Sequence, residues 1–126
     1  MVTVQKTRKG LGDDAEARAL QHLLSQGLKL VERNYRVAAG PRARGGEVDL
    51  IMTDRDGTLV FVEVRARRDR LHGGAAASVT HGKQARVAYA AQHYLRRHAT
   101  PPPCRFDVVA IEGAGLEWLR GAFFAP

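Results

Sequence analysis

Asp49 and Glu63 are the two residues of this sequence best placed to do chemistry together. They lie in the segments GGEVDLIMT (45–53) and LVFVEVRAR (59–67), which Asp54-Arg55-Asp56-Gly57 joins as a hairpin turn. Side chains alternate along a strand, so Glu47, Asp49 and Ile51 are expected on one face, as are Phe61, Glu63 and Arg65. The turn centres near position 56, which sets Asp49 opposite Glu63. Like charges facing each other across a sheet are destabilising. Glu63 also interrupts an apolar run that reads as a buried central strand. A carboxylate pair in such a place calls for a cation, and Mg²⁺ or Mn²⁺ suits hard oxygen ligands. The competing account is structural, with Arg65 or Arg67 neutralising the pair in an ion network.

The elements that must position this pair follow from periodicity. Residues 1–11 are basic and unpatterned and are expected to fray. Gly12-Asp13-Asp14 opens a helix, because acids suit its positive N-terminal end. Ala15, Ala19, Leu20, Leu23 and Leu24 form its apolar stripe, and Gly27 ends it. Glu16 lies on this helix, where it could cover the sheet. Residues 28–36 read as a strand, 38–46 as a loop, and 47–53 with 58–66 as the hairpin. A second loop spans 67–79. A second helix spans 80–98, with Thr80 or Ser78 as its cap and Val87, Ala88, Ala91, Tyr94 and Leu95 as its apolar face. Pro101-Pro102-Pro103 stops it. Residues 105–111 read as another strand, and Gly113-Ala114-Gly115 leads into a short amphipathic end, Leu116 to Phe124. The expected order is α-β-β-β-α-β, a single α/β domain over 12–126 with no internal repeat.

The length of 126 residues suits one modest core, and 44% hydrophobic residues argue for a globular chain. A single cysteine, Cys104, excludes an internal disulfide and a cysteine-based zinc cluster. No apolar run is long enough to span a bilayer, and the first residues have no signal-peptide core, so a reduced cytoplasmic setting without a membrane partner is the expectation. The formal charge is +7, from 20 Lys+Arg against 13 Asp+Glu, most of the basic residues being arginines. They cluster at Arg33, Arg36, Arg42 and Arg44, and again at Arg65, Arg67, Arg68 and Arg70. Basic clusters flanking a carboxylate pair fit a polyanion held beside a metal; a merely solvated basic surface is the bland alternative. The five histidines have no ligand spacing, and neither glycine pair is a nucleotide-binding fingerprint. Six per cent aromatics is low for a protein that binds single strands by stacking, and Trp118 and Tyr94 read as core.

Several segments together resemble the bacterial YraN family, predicted endonucleases related to archaeal Holliday junction resolvases. They are Gly12-x-x-x-Glu16-x-x-Ala19-x-x-x-Leu23, Gly27-Leu28 and Arg33-Asn34-Tyr35-Arg36. Further on come Gly46-Glu47-Val48-Asp49-Leu50-Ile51, Val60-Phe61-Val62-Glu63-Val64-Arg65-x-Arg67 and Gly73-Gly74-Ala75-Ala76-Ala77-Ser78-Val79-Thr80. Lys83-Gln84 and Cys104-Arg105-Phe106-Asp107-Val108-Val109 complete the set, which covers roughly 12–112. The resemblance implies a restriction-endonuclease-like mixed sheet. It implies that Asp49 and Glu63 are metal ligands, and that Glu16 completes the acidic cluster.

Arg65 stands where related nucleases carry a catalytic lysine. Arginine can stabilise phosphate charge but is too basic to accept a proton. Lys83 is the nearest substitute, with a solvated lysine as the alternative reading. The activity implied is metal-dependent, structure-selective hydrolysis of phosphodiester bonds in DNA, branched DNA above all. Arg65 would contact the scissile phosphate, the Val64 carbonyl would add a ligand, and Arg42, Arg44, Arg67, Arg68 and Lys83 would hold flanking phosphates without reading sequence. Glu47 shares the face but has an alternative partner in Arg44 or Arg65. Resolvase-like relatives dimerise, so a homodimer is in view. Two other readings stand beside this one: a catalytically silent nucleic-acid-binding module, motivated by Arg65, and a protein-interaction domain whose charge is incidental.

Overall fold

A computed structural model of the chain describes residues 8–41, 44–67 and 79–125, without the side chains of 8–13 and 67. Arg42 and Arg68 therefore lie outside the described residues, as do 1–7, Ser78, His72 and most of the expected 67–79 loop; Arg67 is described as backbone alone. The elements are α1 (Arg8–Ser25), β1 (Lys29–Val37), β2 (Gly46–Thr53), β3 (Leu59–Arg67), α2 (His81–Leu95), β4 (Cys104–Glu112) and β5 (Gly115–Phe123).

The five strands form one mixed sheet in the order β1-β2-β3-β4-β5. Only β3 and β4 run parallel, with α2 as the crossover between them. One helix covers each face. Ala15, Ala19 and Leu23 of α1 pack with Leu50, Met52, Val60, Val62, Val64, Val109 and Ile111. Val87, Ala88, Ala90, Ala91 and Tyr94 of α2 pack with Tyr35, Ile51, Phe61, Phe106 and Val108 on the other face. Among the described residues, no helix is long and apolar enough to cross a membrane.

Two expectations change. First, α1 begins at Arg8, so 8–11 are helical rather than frayed. Gly10 and Gly12 lower helix propensity by about 1 kcal/mol each, yet they cannot end a helix whose later turns are anchored in the core. The other end closes as expected. Gly27 takes φ 95°, its N–H donates to Leu24 O, and the Leu28 N–H donates to Leu23 O at 3.1 Å. The expected stripe is narrower than the sequence suggests, since Leu24 is exposed.

Second, 115–123 is a strand, so the order is α-β-β-β-α-β-β. Glu112 pairs with Gly115 across a two-residue turn in which Gly113 has φ 56°. Turns of that kind favour hairpins. The new strand is anchored by Asp107, which is fully buried on β4. Its side chain accepts from Arg105 Nε (3.0 Å), Trp118 Nε1 (2.9 Å) and Gly121 N (2.9 Å). Arg105 also pairs with Asp54 of the β2–β3 turn at 2.9 Å. Burying a carboxyl group is costly without such partners; these donors and the second carboxylate hold β4, β5 and the hairpin turn together.

Gly46 sets how closely α2 lies on β2. A Cβ there would stand 2.9 Å from Ala90 N and 3.1 Å from Tyr89 Cδ1, and closer still to Arg86 O. Backbone atoms of a packed helix cannot yield, so a methyl group would lift α2 away. Gly46→Ala is expected to lower unfolding stability by about 1–3 kcal/mol in denaturant titration. Gly40→Ala, where a Cβ meets nothing within 4 Å, is the matched control and should change little.

Candidate active site

The β2–β3 pairing runs from Thr53↔Leu59 to Leu50↔Val62, the register that the turn arithmetic requires. One step further Asp49 reaches across. Its Oδ2 accepts from the Val64 N–H at 2.8 Å, so a side chain takes the place of a backbone acceptor. β2 loses its simple alternation at the same step. Val48 packs in the α2 core and Leu50 in the α1 core, while Ile51 returns to the α2 side. Across the sheet, Asn34 lies between the pairs Arg33↔Leu50 and Tyr35↔Val48 and takes φ 52°. Asparagine tolerates that left-handed conformation better than most residues. The expectation that Glu47, Asp49 and Ile51 share one clean face therefore fails at Asp49, where both strands turn.

Glu63 lies between Val62 and Val64, which face α1, so it points to the α2 side. It meets Asp49 there. Burial raises the Glu63 carboxyl to about 8, and the neighbouring Asp49 charge and its hydrogen bond add to this; Arg65 and Lys83 oppose it. Burial also raises Asp49, against the pull of the Val64 N–H, with Glu47 adding repulsion. Burial and mutual repulsion thus both oppose full ionisation of the pair.

Arg65 Nη1 lies 4.0 Å from Glu63 Oε1. Its Nε is buried and has no hydrogen-bond partner among the described residues. An unmet guanidinium donor beside an acidic pair is costly unless another acceptor arrives. Lys83 lies in the first turn of α2. Thr80 caps that helix, its Oγ1 accepting from the Lys83 N–H at 3.3 Å, and Gln84 Nε2 donates to Val79 O at 3.0 Å. Partial burial lowers the Lys83 ammonium, as does the Arg65 charge, while Glu63 and Asp49 raise it. The helix thus delivers a lysine within electrostatic reach of the pair.

Other expected residues are placed differently. Glu47 pairs with Arg36, Nε to Oε2 at 3.4 Å, rather than with Arg44 or Arg65. Glu16 is half-buried on α1, the helix of the opposite face. Among the described residues no group of three or more His, Cys, Asp or Glu is arranged to hold a metal ion. Arg44 is exposed at the start of β2. Sequence reasoning missed Asp107, although Arg-x-Asp inside an apolar strand is a readable sign of a buried ion pair. It also passed over Tyr89, an exposed aromatic on α2 beside Gly46.

The arrangement can hold a hard divalent cation. Its donors would be the two carboxyl groups, which repel each other when both are charged. Glu63 stands at the middle of β3, and Lys83 in the first turn of the crossover helix lies within electrostatic reach of the pair.

Comparison with known proteins bears on the family. A UPF0102 protein of Methylibium petroleiphilum is 68% identical over 119 residues, covering 94% of this chain and 98% of that protein. One from an Acidovorax species is 58% identical over 120 residues, covering 95% and 89%. A UPF0102 protein of Cupriavidus taiwanensis is 57% identical over 123 residues, covering 98% and 89%. Among solved structures, that of SSO0001 is 16% identical and covers 88% of this chain and 50% of that one, with a TM-score of 0.44. That likeness is too slight to carry an argument. The model of the family described as "Uncharacterised protein family UPF0102" matches residues 15–111, which include α1 from Ala15, the whole β2–β3 hairpin and α2. With that match and these relatives together, the chain belongs to the UPF0102 family.

Proposed function

We propose that the chain is a metal-dependent endonuclease of restriction-endonuclease-like fold that hydrolyses phosphodiester bonds in DNA. The observation that carries this reading is the Asp49–Glu63 pair. Two partly buried carboxyl groups face each other where the strands part, in a protein of net charge +7.

Asp49 and Glu63 would hold Mg²⁺ or Mn²⁺. Val64 directs its N–H toward Asp49 and, as strand residues do, turns its carbonyl to the same side, where it can add a ligand. When bound, the cation supplies neutralisation of phosphate charge and activation of water. Arg65, whose Nε has no hydrogen-bond partner among the described residues, would turn its guanidinium to a phosphate oxygen. Lys83 adds a second positive charge from the helix side. The exposed arginines steer the polyanion and hold it without reading bases. Such a protein works in the cytoplasm, as a monomer or as a homodimer meeting a two-fold junction.

The test is incubation of the purified protein with labelled junction, flap, duplex and single-stranded DNA in Mg²⁺, Mn²⁺ or chelator. Cation-dependent cutting supports the reading, and salt-sensitive binding without cutting under any condition replaces it with a silent binding module. Arg65→Lys sharpens the choice. If Arg65 is the working phosphate contact, the change costs on the order of 100-fold in cleavage rate, the scale of losing one charge-stabilising donor. Activity gained by Arg65→Lys would show a site degenerate for want of lysine.

A further inference from the structure

We infer that Tyr89 is a stacking platform for an unpaired nucleobase, so that the substrate enters this site with a single-stranded arm. This rests on the nuclease reading above and names the nucleic acid that such a site takes.

The other large hydrophobic side chains on α2 are buried or half-buried, yet Tyr89 is 37% exposed. A Cβ at Gly46 would meet one edge of its ring at 3.1 Å, so the ring stands beside the point where α2 is seated on β2. Gly46 is three residues before Asp49 on β2, about 10 Å along the strand, so the ring stands on the amino-terminal side of the pair. The charged residues on the same helix lead to it. Lys83, Arg86 and Tyr89 recur every third residue and follow one flank of α2, with about 9 Å of axial rise from first to last. Lys83 interacts with Asp49 and Glu63, and Arg86 acts on Lys83 while itself exposed to solvent. The order along the flank is thus a lysine within electrostatic reach of the carboxylate pair, an exposed arginine and an aromatic ring.

That order suits a strand whose phosphate reaches the carboxylates while a neighbouring base lies on the ring. Every base has a face to stack, so such a platform is indifferent to sequence. In an intact duplex the bases already stack on each other, and the ring has nothing to receive. Of the aromatic alternatives, Tyr94 is committed to the core and Trp118 donates its Nε1–H to buried Asp107.

The experiment compares two labelled DNAs of the same duplex sequence, one blunt and one with a single-stranded arm. Fluorescence anisotropy in chelator reads binding, and gel assays in Mg²⁺ read cutting. Tyr89→Ala should weaken binding to the armed DNA about tenfold and leave the blunt duplex within about twofold. Tyr89→Phe should keep the wild-type preference, which separates ring loss from hydroxyl loss. The unfolding midpoint of Tyr89→Ala reports whether it folds. If it does not, Tyr89→Ser and Tyr89→Trp carry the comparison, weakened and preserved respectively. Equal weakening on both DNAs, no change on either, or no measurable binding by the wild type overturns the inference. Preference for the armed DNA that depends on Tyr89, with no cutting by the wild type, would sink the nuclease reading and leave the platform standing.

Discussion

Asp49→Asn and Glu63→Gln each remove cation-dependent DNA cleavage, by on the order of 10³-fold, while the protein stays folded. The size follows from what is lost. A bound divalent cation contributes several kcal/mol of charge stabilisation, and each 1.36 kcal/mol is tenfold in rate. Both replacements are nearly isosteric. The amide introduced by Asp49→Asn keeps an oxygen for the Val64 N–H, the bond that Asp49 now makes at 2.8 Å. The amide introduced by Glu63→Gln can donate to Asp49 as the protonated acid does. Loss of activity with an unchanged circular dichroism spectrum would therefore indict the ligands and not the fold. The measurement is initial cleavage rate over a Mg²⁺ titration. Rates within about threefold of wild type for both variants would remove the pair from the chemistry. A Glu16→Gln variant is a useful contrast. Glu16 lies on the opposite helix, and if the pair alone holds the cation its replacement costs far less.

Glu63→Gln is also expected to stabilise the metal-free protein, increasingly as pH rises. The folded state raises the Glu63 carboxyl from 4.5 to about 8, chiefly by burial. Between those values the folded chain binds more protons than the unfolded chain, so stability falls as pH increases. The decline begins near pH 4.5 and is complete above about pH 8. Its full size corresponds to roughly 5 kcal/mol, an upper figure because Asp49 shares the proton and the site can relax. Glutamine has no proton to lose and escapes this slope. The two proteins should have similar unfolding midpoints near pH 5 in chelator, and should separate by several degrees at about pH 8–9. Added Mg²⁺ should close the gap by stabilising wild type alone. The same linkage makes cation affinity rise with pH up to about 8, because binding must displace the proton. A wild-type stability that is flat from about pH 5 to 9, parallel to the variant, would show that Glu63 is already ionised and satisfied by Arg65.

Much of the centre of this molecule is legible in the chain itself, because a hairpin is a local object. Its turn at 54–57 fixes the register, and the register sets Asp49 against Glu63; the pairing of Leu50 with Val62 bears that arithmetic out. The helix ends are equally local. Gly27 takes the left-handed turn and Thr80 caps α2, as their side-chain types require. The carboxyl-terminal strand is legible only in hindsight. Gly113 marks its turn, but Leu116–Phe123 is weakly patterned, and it becomes a strand because Asp107 draws Trp118 and Gly121 to β4.

What the sequence by itself determined is the pair, the basic charge around it and the elements on which both are carried. Each depends on spacing within a few residues, or on composition. Only the tertiary structure decided what else reaches the pair. Glu16 and Lys83 lie on different helices, and α1 and α2 pack on opposite faces of the sheet, so the two side chains approach it from opposite sides and Lys83 stands within electrostatic reach of Asp49 and Glu63. The face on which a helix docks is set by complementarity over long range. Here that means Ala90 against Gly46 and Val87 with Ile51 on one side, and Ala19 and Leu23 against Val62 and Leu50 on the other. No spacing along the chain encodes that choice, and it is the choice that sets Arg86 and Tyr89 on the flank of α2 facing β2.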